Sequence, residues 1–309
     1  MRKANSRALL AAVVLAAGAV GGGVLGTGSS AGVGGVRVEA APQLAPMADG
    51  CDLAASLPPR QDVGAKIRKI RERGVLVVGV DQSAYHWGFR NPQTGRIEGF
   101  DIDLAHAIAK SVLGDPSKVL LKTISTAHRI DAVKNGEVDV ITRAMTITCD
   151  RKKDVAFSTP YFRTSQRVVA PKSAHVKSVD EALKGKRVCA ALNSSSDAEL
   201  KANPRGAAQV RLVDNQLDCL VLMQLGEIDS TLSDSSLAAA QVAQDPQVEL
   251  AGEPFQPAYM GVAMNQADTD LIAWVNQVLV DWRSGGGWRA SYDTWLKDSM
   301  GASPDPYLP

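Results

Sequence analysis

The sequence ITRAMTITCDR at residues 141–151, followed directly by KKDVAFSTPYF, decides the fold. Residues 138–142 are mostly β-branched and follow an Asn-Gly turn, so they predict a short buried strand. The chain after this strand carries hydroxyl groups, such as that of Thr146, and then the guanidinium of Arg151. A planar guanidinium grips both oxygens of a carboxylate, so this strand end suits a small carboxylate ligand. A strand followed by a solvated basic turn fits the same residues, and the spacing alone leaves both interpretations open.

Predicted strands and helices alternate on both sides of this stretch. Residues 75–80 are a continuous apolar run, which is typical of a buried strand, and Asp81 follows at its carboxyl end. Residues 102–112 have helical spacing of apolar side chains, and Asp101 is expected to cap this helix. Alternation of this kind predicts mostly parallel sheets, in which ligands bind at the carboxyl ends of strands. From its position alone, Asp81 is either a residue of such a site or a turn former.

Length and composition restrict the class of function. The chain has 309 residues, with 34 Lys and Arg against 33 Asp and Glu, so its formal net charge is only +1. Basic residues are not clustered, and we therefore expect no nucleic-acid partner. The length is sufficient for two lobes and a tail. The four histidines are scattered and no CxxC motif is present, so we expect neither a metal site nor a cofactor. An even number of cysteines suits an oxidising compartment.

Three motifs together resemble the polar amino-acid solute-binding proteins of ABC transporters. They are TxTxxRKK at 146–153 with FSxPY at 157–161, GFDIDL at 99–104, and GW at 287–288 with YxxWL at 292–296. The resemblance extends from residue 67 to residue 297, and with the four cysteines it is greatest to actinobacterial glutamate- and glutamine-binding proteins. It implies an α/β fold of the periplasmic-binding-protein type 2 class. Such a fold has two lobes, each a mixed and mostly parallel sheet flanked by helices, joined by a two-strand hinge.

The resemblance also implies a domain organisation and a function. We expect residues 63–163 and 257–309 to form lobe 1, and residues 164–256 to form lobe 2. The protein would capture a polar L-amino acid of the glutamate, aspartate, glutamine or asparagine class by hinge closure. It would act as a monomer and deliver this amino acid to an ABC permease, or alternatively signal to a membrane sensor protein. A few dehydratases share the fold, but His86 and His128 have no evident carboxylate partner, so we do not expect an enzyme.

Residues 1–36 predict an export signal, because basic residues precede an apolar region and a Gly-rich stretch. The family often has a lipobox cysteine just after the apolar region, but here the first cysteine is Cys51. The segment is therefore either cleaved or retained as an anchor, and we favour cleavage. Both outcomes place the protein outside the cytoplasm, secreted or at the cell surface. Residues 37–62 are rich in Pro and Ala and predict a linker or tail.

The family's ligand contacts imply how the backbone end of an amino acid would bind. The ligand carboxylate would contact Arg151 and the amides of Thr146 and Ser195. The ligand ammonium would contact the carbonyl of Ala144, the hydroxyl of Thr146 and the carboxylate of Asp234. Asp234 ends a predicted strand and also precedes a predicted helix, so it is expected to cap that helix as well.

The side chain of the ligand would be recognised by Asp81, Tyr85, Ser125, Thr126 or Arg143. The family has two aromatic residues that stack on the ligand, and this chain has Ala84 and Thr126 at those positions, for which Tyr85 is expected to compensate in part. Arg143 either neutralises an acidic ligand side chain or forms an outward salt bridge. Asp81 instead favours an amide ligand. The sequence leaves these alternatives open.

The four cysteines can pair in three ways. Because a bridge between the lobes would restrain the hinge, we expect each lobe to hold its own pair. The expected disulfides are Cys51–Cys149 in lobe 1 and Cys189–Cys219 in lobe 2. The first would hold the N-terminal tail beside the binding loop.

Overall fold

The computed structural model describes residues 51–309. The predicted export signal and the first part of the predicted linker lie outside these residues. Among residues 51–309, no helix combines the length and the apolar character needed to cross a membrane.

Two five-stranded sheets are the centres of two lobes. The described strands, in chain order, are β1 (Leu76–Val80), β2 (Ser83–Ala84), β3 (Gly88–Arg90), β4 (Ile97–Glu98), β5 (Val119–Thr123), β6 (Val140–Ile141), β7 (Ala156–Phe157), β8 (Phe162–Pro171), β9 (Arg187–Ala191), β10 (Gln209–Val213), β11 (Ser230–Asp234), β12 (Val248–Met260) and β13 (Ala263–Met264). The first lobe contains the sheet β5-β1-β6-β13-β7, and the second lobe contains the sheet β10-β9-β11-β8-β12. A small sheet, β2-β3-β4, belongs to the first lobe.

Helices flank both sheets. In chain order they are α1 (Ala65–Arg73), α2 (Phe100–Leu113), α3 (Arg129–Lys134), α4 (Cys149–Asp154), α5 (Val179–Leu183), α6 (Ser195–Ala202), α7 (Gln216–Gln224), α8 (Ser235–Gln244), α9 (Thr269–Ser284), α10 (Gly287–Trp295) and α11 (Lys297–Met300), with single 3-10 turns at Lys172–Ala174 and Asp305–Tyr307. Successive residues of a strand point to opposite faces of its sheet. In β9, Val188 packs in the cluster that includes α5 and α6, whereas Cys189 packs in the cluster that includes α7. The second sheet is therefore covered on both faces.

Each sheet mixes parallel and antiparallel pairs. In the first lobe, β1 is parallel to β5 and β6, and β13 is antiparallel to β6 and β7. In the second lobe, β9 is parallel to β10 and β11, and β8 is antiparallel to β11 and β12. The long strands β8 and β12 connect the lobes, and their lobe-1 ends meet where Phe162 pairs with Met260. This architecture confirms the predicted two-lobed fold.

Both predicted disulfides are present in the structure. Cys51 is bonded to Cys149, the first residue of α4, with a Cα–Cα distance of 5.9 Å. Cys189 of β9 is bonded to Cys219 of α7, with a Cα–Cα distance of 5.6 Å. Neither bridge joins the two lobes. The first holds the N-terminal segment against α4, which is the helix that carries Arg151.

Candidate functional site

A cavity between the two lobes contains most of the predicted site. Its volume is about 310 Å³, including the space at its open side. Both lobes contribute mainly polar residues to its walls, and these are Thr126, Arg129, Arg143, Ala144 and Thr146 from the first lobe and Ala191, Ser194, Ser195, Ser196, Gln216, Ser233, Asp234 and Leu237 from the second. The cavity therefore has the location that the strand ends predicted.

Hydrogen bonds across the cleft connect the two lobes. Nη2 of Arg151 donates to the carbonyl of Asn193 at 2.8 Å. Nη2 of Arg143 donates to Oδ1 of Asn215 at 3.2 Å. The hydroxyls of Thr146 and Ser195, one from each lobe, lie 3.3 Å apart. The structure therefore describes a closed arrangement of the lobes.

The loop after β6 presents backbone groups at the cavity. Ala144 has a φ of 42°, in the left-handed region, and its N–H donates to Asp101 at 2.7 Å. Within residues 51–309, the carbonyl of Ala144 accepts no hydrogen bond and the N–H of Thr146 donates none. An acceptor and a donor thus lie two residues apart, as a zwitterion requires.

On the opposite wall, the N-terminus of α6 supplies further donors. The hydroxyl of Ser194 caps this helix by accepting from the N–H of Asp197 at 3.0 Å. The first N–H groups of a helix have no partner inside the helix, and they attract anions. The amides of Ser195 and Ser196 are these groups, and both residues line the cavity.

Asp234 caps a helix, as predicted, and also lines the cavity. Its Oδ1 accepts from the N–H groups of Ser236 and Leu237, each at 3.1 Å, and caps α8. Its Oδ2 accepts no hydrogen bond from any described residue, although the residue is only 7% exposed. Burial raises the pKa of this carboxyl. One oxygen therefore stabilises the helix, and the other is free for a cation in the cavity.

Arg143 and Asp81 bind each other. Nη2 of Arg143 lies 2.7 Å from Oδ2 of Asp81, and the other nitrogens donate to the carbonyl of Ile124 and the hydroxyl of Thr126, both at 2.7 Å. Oδ1 of Asp81 accepts from the backbone N–H of Gln82 at 2.8 Å. The outward salt bridge, one of the two alternatives expected for Arg143, disagrees with this inward pair, and Arg143 lines the cavity. Recognition of an acidic side chain by Arg143 and recognition of an amide by Asp81 remain predictions.

Breaking this pair should destabilise the protein strongly. Arg143 is only 2% exposed, and Asp81→Ala would leave its guanidinium without its counter-ion. We expect a loss of about 3–5 kcal/mol in the free energy of unfolding, measured in urea without ligand. The matched double variant Asp81→Leu with Arg143→Met removes both charges and should be close to wild type. A loss below about 1 kcal/mol for Asp81→Ala, the range of an exposed ion pair, would contradict this interpretation.

Arg129 is a cavity residue that the sequence analysis missed. It is 4% exposed, yet its guanidinium donates no hydrogen bond and forms no ion pair within the described part of the chain. Burial lowers its pKa well below the usual value, as do the nearby guanidiniums of Arg151 and Arg143, while Asp234 raises it. Arg129 is the first residue of α3, where a cation opposes the helix dipole. This unfavourable placement of a cation at a helix start was the sequence feature that could have indicated a role for Arg129.

The predicted residues Asp81, Tyr85, Ser125 and Arg151 do not line the cavity. Arg151 is buried behind the loop, where Nη1 donates to the carbonyl of Thr146 at 2.6 Å, and burial lowers its pKa to about 10, so it stays charged at neutral pH. Tyr85 stacks on His86 at 3.8 Å between ring centres, so its position does not support compensation for the missing aromatics. Ala84 instead lines an adjoining cavity of about 240 Å³ together with Asp81.

Comparison with known proteins is consistent with this geometry. The sequence profile of the bacterial extracellular solute-binding proteins, family 3, matches residues 76–298. The glutamine-binding protein of Geobacillus stearothermophilus is 34% identical over 225 residues, which cover 69% of this chain and 84% of that protein. The ABC transporter glutamine-binding protein GlnH of Bacillus subtilis is 31% identical over 229 residues, which cover 74% of this chain and 84% of that protein.

The expected special likeness to actinobacterial proteins is not shown. The glutamate-binding protein GluB of Corynebacterium efficiens is only 24% identical over 241 residues, which cover 74% of this chain and 80% of that protein. Among solved structures, the solute receptor for L-cysteine of Neisseria gonorrhoeae superposes with a TM-score of 0.74 at 26% identity, covering 79% of this chain and 99% of that chain. These relatives are binding proteins by their names, in agreement with the prediction that the chain is not an enzyme.

Proposed function

The chain belongs to the bacterial extracellular solute-binding proteins of family 3, and on this premise we propose that it captures an acidic L-amino acid, glutamate or aspartate, outside the cytoplasm and delivers it to an ABC permease. Both lobes would close on the ligand, since both supply walls of the cavity. The predicted export signal lies outside the described residues and agrees with this location.

The backbone end of an amino acid matches the free groups of the cavity. Its carboxylate would accept hydrogen bonds from the N–H groups of Thr146 and Ser195. Its ammonium would donate to the carbonyl of Ala144 and to Oδ2 of Asp234. Each charge would then have a donor or acceptor from both lobes, so the ligand would contact the closed state more fully than the open state. Such differential contact is what shifts a hinge equilibrium toward closure.

The proposed preference for a ligand with an acidic side chain rests on Arg129. An uncompensated charge in a buried site costs several kcal/mol, and a ligand carboxylate offsets that cost. The Asp81–Arg143 pair is neutral, and the guanidinium of Arg129 has no direct ion-pair partner among the described residues. A glutamate or aspartate ligand has a net charge of about −1 at neutral pH, and its side-chain carboxylate would supply that partner.

The relatives support an amino-acid ligand without deciding its side chain. Their names specify glutamine, glutamate or cysteine, which differ in charge as well as in size. The residue that discriminates among such ligands must therefore be sought in the cavity itself. Arg129 is the group there whose charge is not balanced by a direct partner among the described residues.

A thermal-shift screen of the full oxidised chain against the twenty amino acids tests this function. A ligand that binds only the folded state at 100 times its dissociation constant adds about 2.7 kcal/mol of stability. We expect glutamate or aspartate to raise the melting temperature most. A shift with neutral amino acids alone would remove the acidic preference and leave amino-acid capture intact. No shift with any of the twenty would contradict the proposed function.

A further inference from the structure

The carboxyl group of Asp101 accepts hydrogen bonds from the loop after β6 and from Tyr161, the residue before the hinge strand β8. The sequence predicted that Asp101 caps α2, but the helix begins at Phe100, and its capping residue is Gly99. Asp101 is only 2% exposed. Its Oδ2 accepts from the N–H of Ala144 at 2.7 Å, and its Oδ1 accepts from the hydroxyl of Tyr161 at 2.8 Å. Both oxygens therefore hold groups outside the helix.

Ala144 needs such a tether because of its backbone. An L-residue with a side chain seldom adopts a φ of 42°, and this conformation persists only where the surroundings fix it. The hydrogen bond from its N–H to Asp101 is the constraint that the structure shows on this residue. The carbonyl of the same residue remains without a partner in the described chain and belongs to a cavity-lining residue.

Tyr161 is equally constrained on the other side of Asp101. Its N–H donates to the carbonyl of Met260 at 2.9 Å, and its carbonyl accepts from Nε1 of Trp288 at 2.7 Å. The next residue is the first of β8, which runs into the second lobe. Asp101 thus connects a fixed point beside the hinge to the loop at the cavity.

We propose that Asp101 is a positioning residue of the ligand site, whose carboxylate holds Ala144 in the conformation that leaves its carbonyl free for the ligand ammonium. Asp101 itself does not touch the ligand. This inference rests on the proposed function, because it requires an amino-acid ammonium beside Ala144. It adds a residue and a pH dependence that the site geometry alone does not include.

The electrostatic surroundings of Asp101 give the direction of that pH dependence. Burial raises the pKa of its carboxyl to about 7, while the hydrogen bonds from Tyr161 and Ala144 oppose the rise. Of the charged groups that face it, Asp81 raises this pKa and Arg143 lowers it. A ligand ammonium beside Ala144 favours the ionised carboxylate, so binding lowers the pKa and releases a proton. Affinity should therefore increase as the pH rises through about 7.

Calorimetric titration of the full chain with L-glutamate between pH 5.5 and 8.5 tests the inference. For the wild type we expect at least about threefold tighter binding at the upper pH, within the limit of tenfold per pH unit for one linked proton. In Asp101→Asn, the amide oxygen can accept from Ala144 and the amide nitrogen can donate to Tyr161. This variant should bind glutamate at pH 8.5 with about the weaker affinity that the wild type has at low pH, since the amide, like the protonated acid, carries no charge. It should also lose the part of the pH dependence that Asp101 contributes, because the amide does not titrate, whereas Asp234 is present in both proteins.

Two further variants separate positioning from folding. Tyr161→Phe removes one donor to the carboxylate, so the pKa of Asp101 rises and the midpoint of the affinity profile should move to higher pH. Asp101→Ala should bind glutamate at least about tenfold more weakly at every pH, because the N–H of Ala144 loses its partner. If Asp101→Asn kept the wild-type pH profile, or Asp101→Ala kept the wild-type affinity, the inference would be wrong. If the wild type bound no amino acid at any pH, the proposed function would fail first.

Discussion

Replacing Arg129 by glutamine is expected to weaken glutamate binding about 100-fold, because each charge-assisted hydrogen bond to a carboxylate contributes about 1.5–3 kcal/mol. Binding of glutamine should change by less than about tenfold, since an amide side chain gains little from a guanidinium. Calorimetric titration of both ligands into both proteins measures the difference. The ligand-free variant should also melt at a higher temperature than the wild type, because a buried guanidinium without a partner has been removed.

Two matched variants make this test specific. Arg129→Lys keeps the charge but loses the planar fork, so glutamate affinity should lie between those of the wild type and Arg129→Gln. Lys134→Gln changes a cation at the exposed end of the same helix, where it pairs with Asp154, and should leave both affinities unchanged. Equal losses for glutamate and glutamine in Arg129→Gln would contradict a role in side-chain recognition.

Replacing Arg151 by methionine is expected to abolish the binding of every amino acid, with a loss of about 1,000-fold for two charge-assisted bonds. Its guanidinium donates to the carbonyl of Thr146 in the first lobe and to the carbonyl of Asn193 in the second. Methionine fills a similar volume but cannot hold either carbonyl. The loop at the cavity and the closed contact between the lobes should therefore both weaken.

Small-angle scattering and calorimetry would measure the two effects of Arg151→Met. At a ligand concentration that saturates the wild type, we expect the radius of gyration of Arg151→Met to stay at the value of the open protein. Lys153→Met is the matched control, because Lys153 lies on the same helix in an exposed ion pair with Asp150. A loss below about tenfold, or a loss restricted to acidic ligands, would show that Arg151 is not the common clamp of the site.

The fold was predictable because its motifs lie at strand ends and helix starts that the sequence marks clearly. The predicted strand at 138–142 shortens to β6, but its end still places Ala144 and Thr146 at the cavity. Ser195 and Asp234 were predicted from the family resemblance, and both lie where a helix follows a strand, since Ser195 begins α6 and Asp234 caps α8. The place of such residues can be predicted from local sequence, because the chain direction itself carries them to the carboxyl edge of the sheet.

Residues whose role depends on a distant partner were not predictable in the same way. Asp81 and Arg143 follow β1 and β6, which are parallel neighbours in the sheet, so only the strand order shows that the two charges meet. Tyr85 was predicted as the neighbour of Ala84, where the family has an aromatic residue, and in the structure it stacks on His86. Arg129 was overlooked because its unfavourable place at the start of a helix does not by itself show that it is buried near other guanidiniums.

The preference of the cavity for an acidic side chain is the central claim, and one comparison tests it most directly. L-glutamate and L-glutamine are titrated calorimetrically into the wild-type full chain, with both disulfides formed, at neutral pH. The two ligands share size and backbone groups and differ only in the charge that Arg129 would recognise. Glutamate is expected to bind at least about tenfold more tightly, a difference of about 1.4 kcal/mol. Glutamine binding as tightly as glutamate, or more tightly, would contradict the claim.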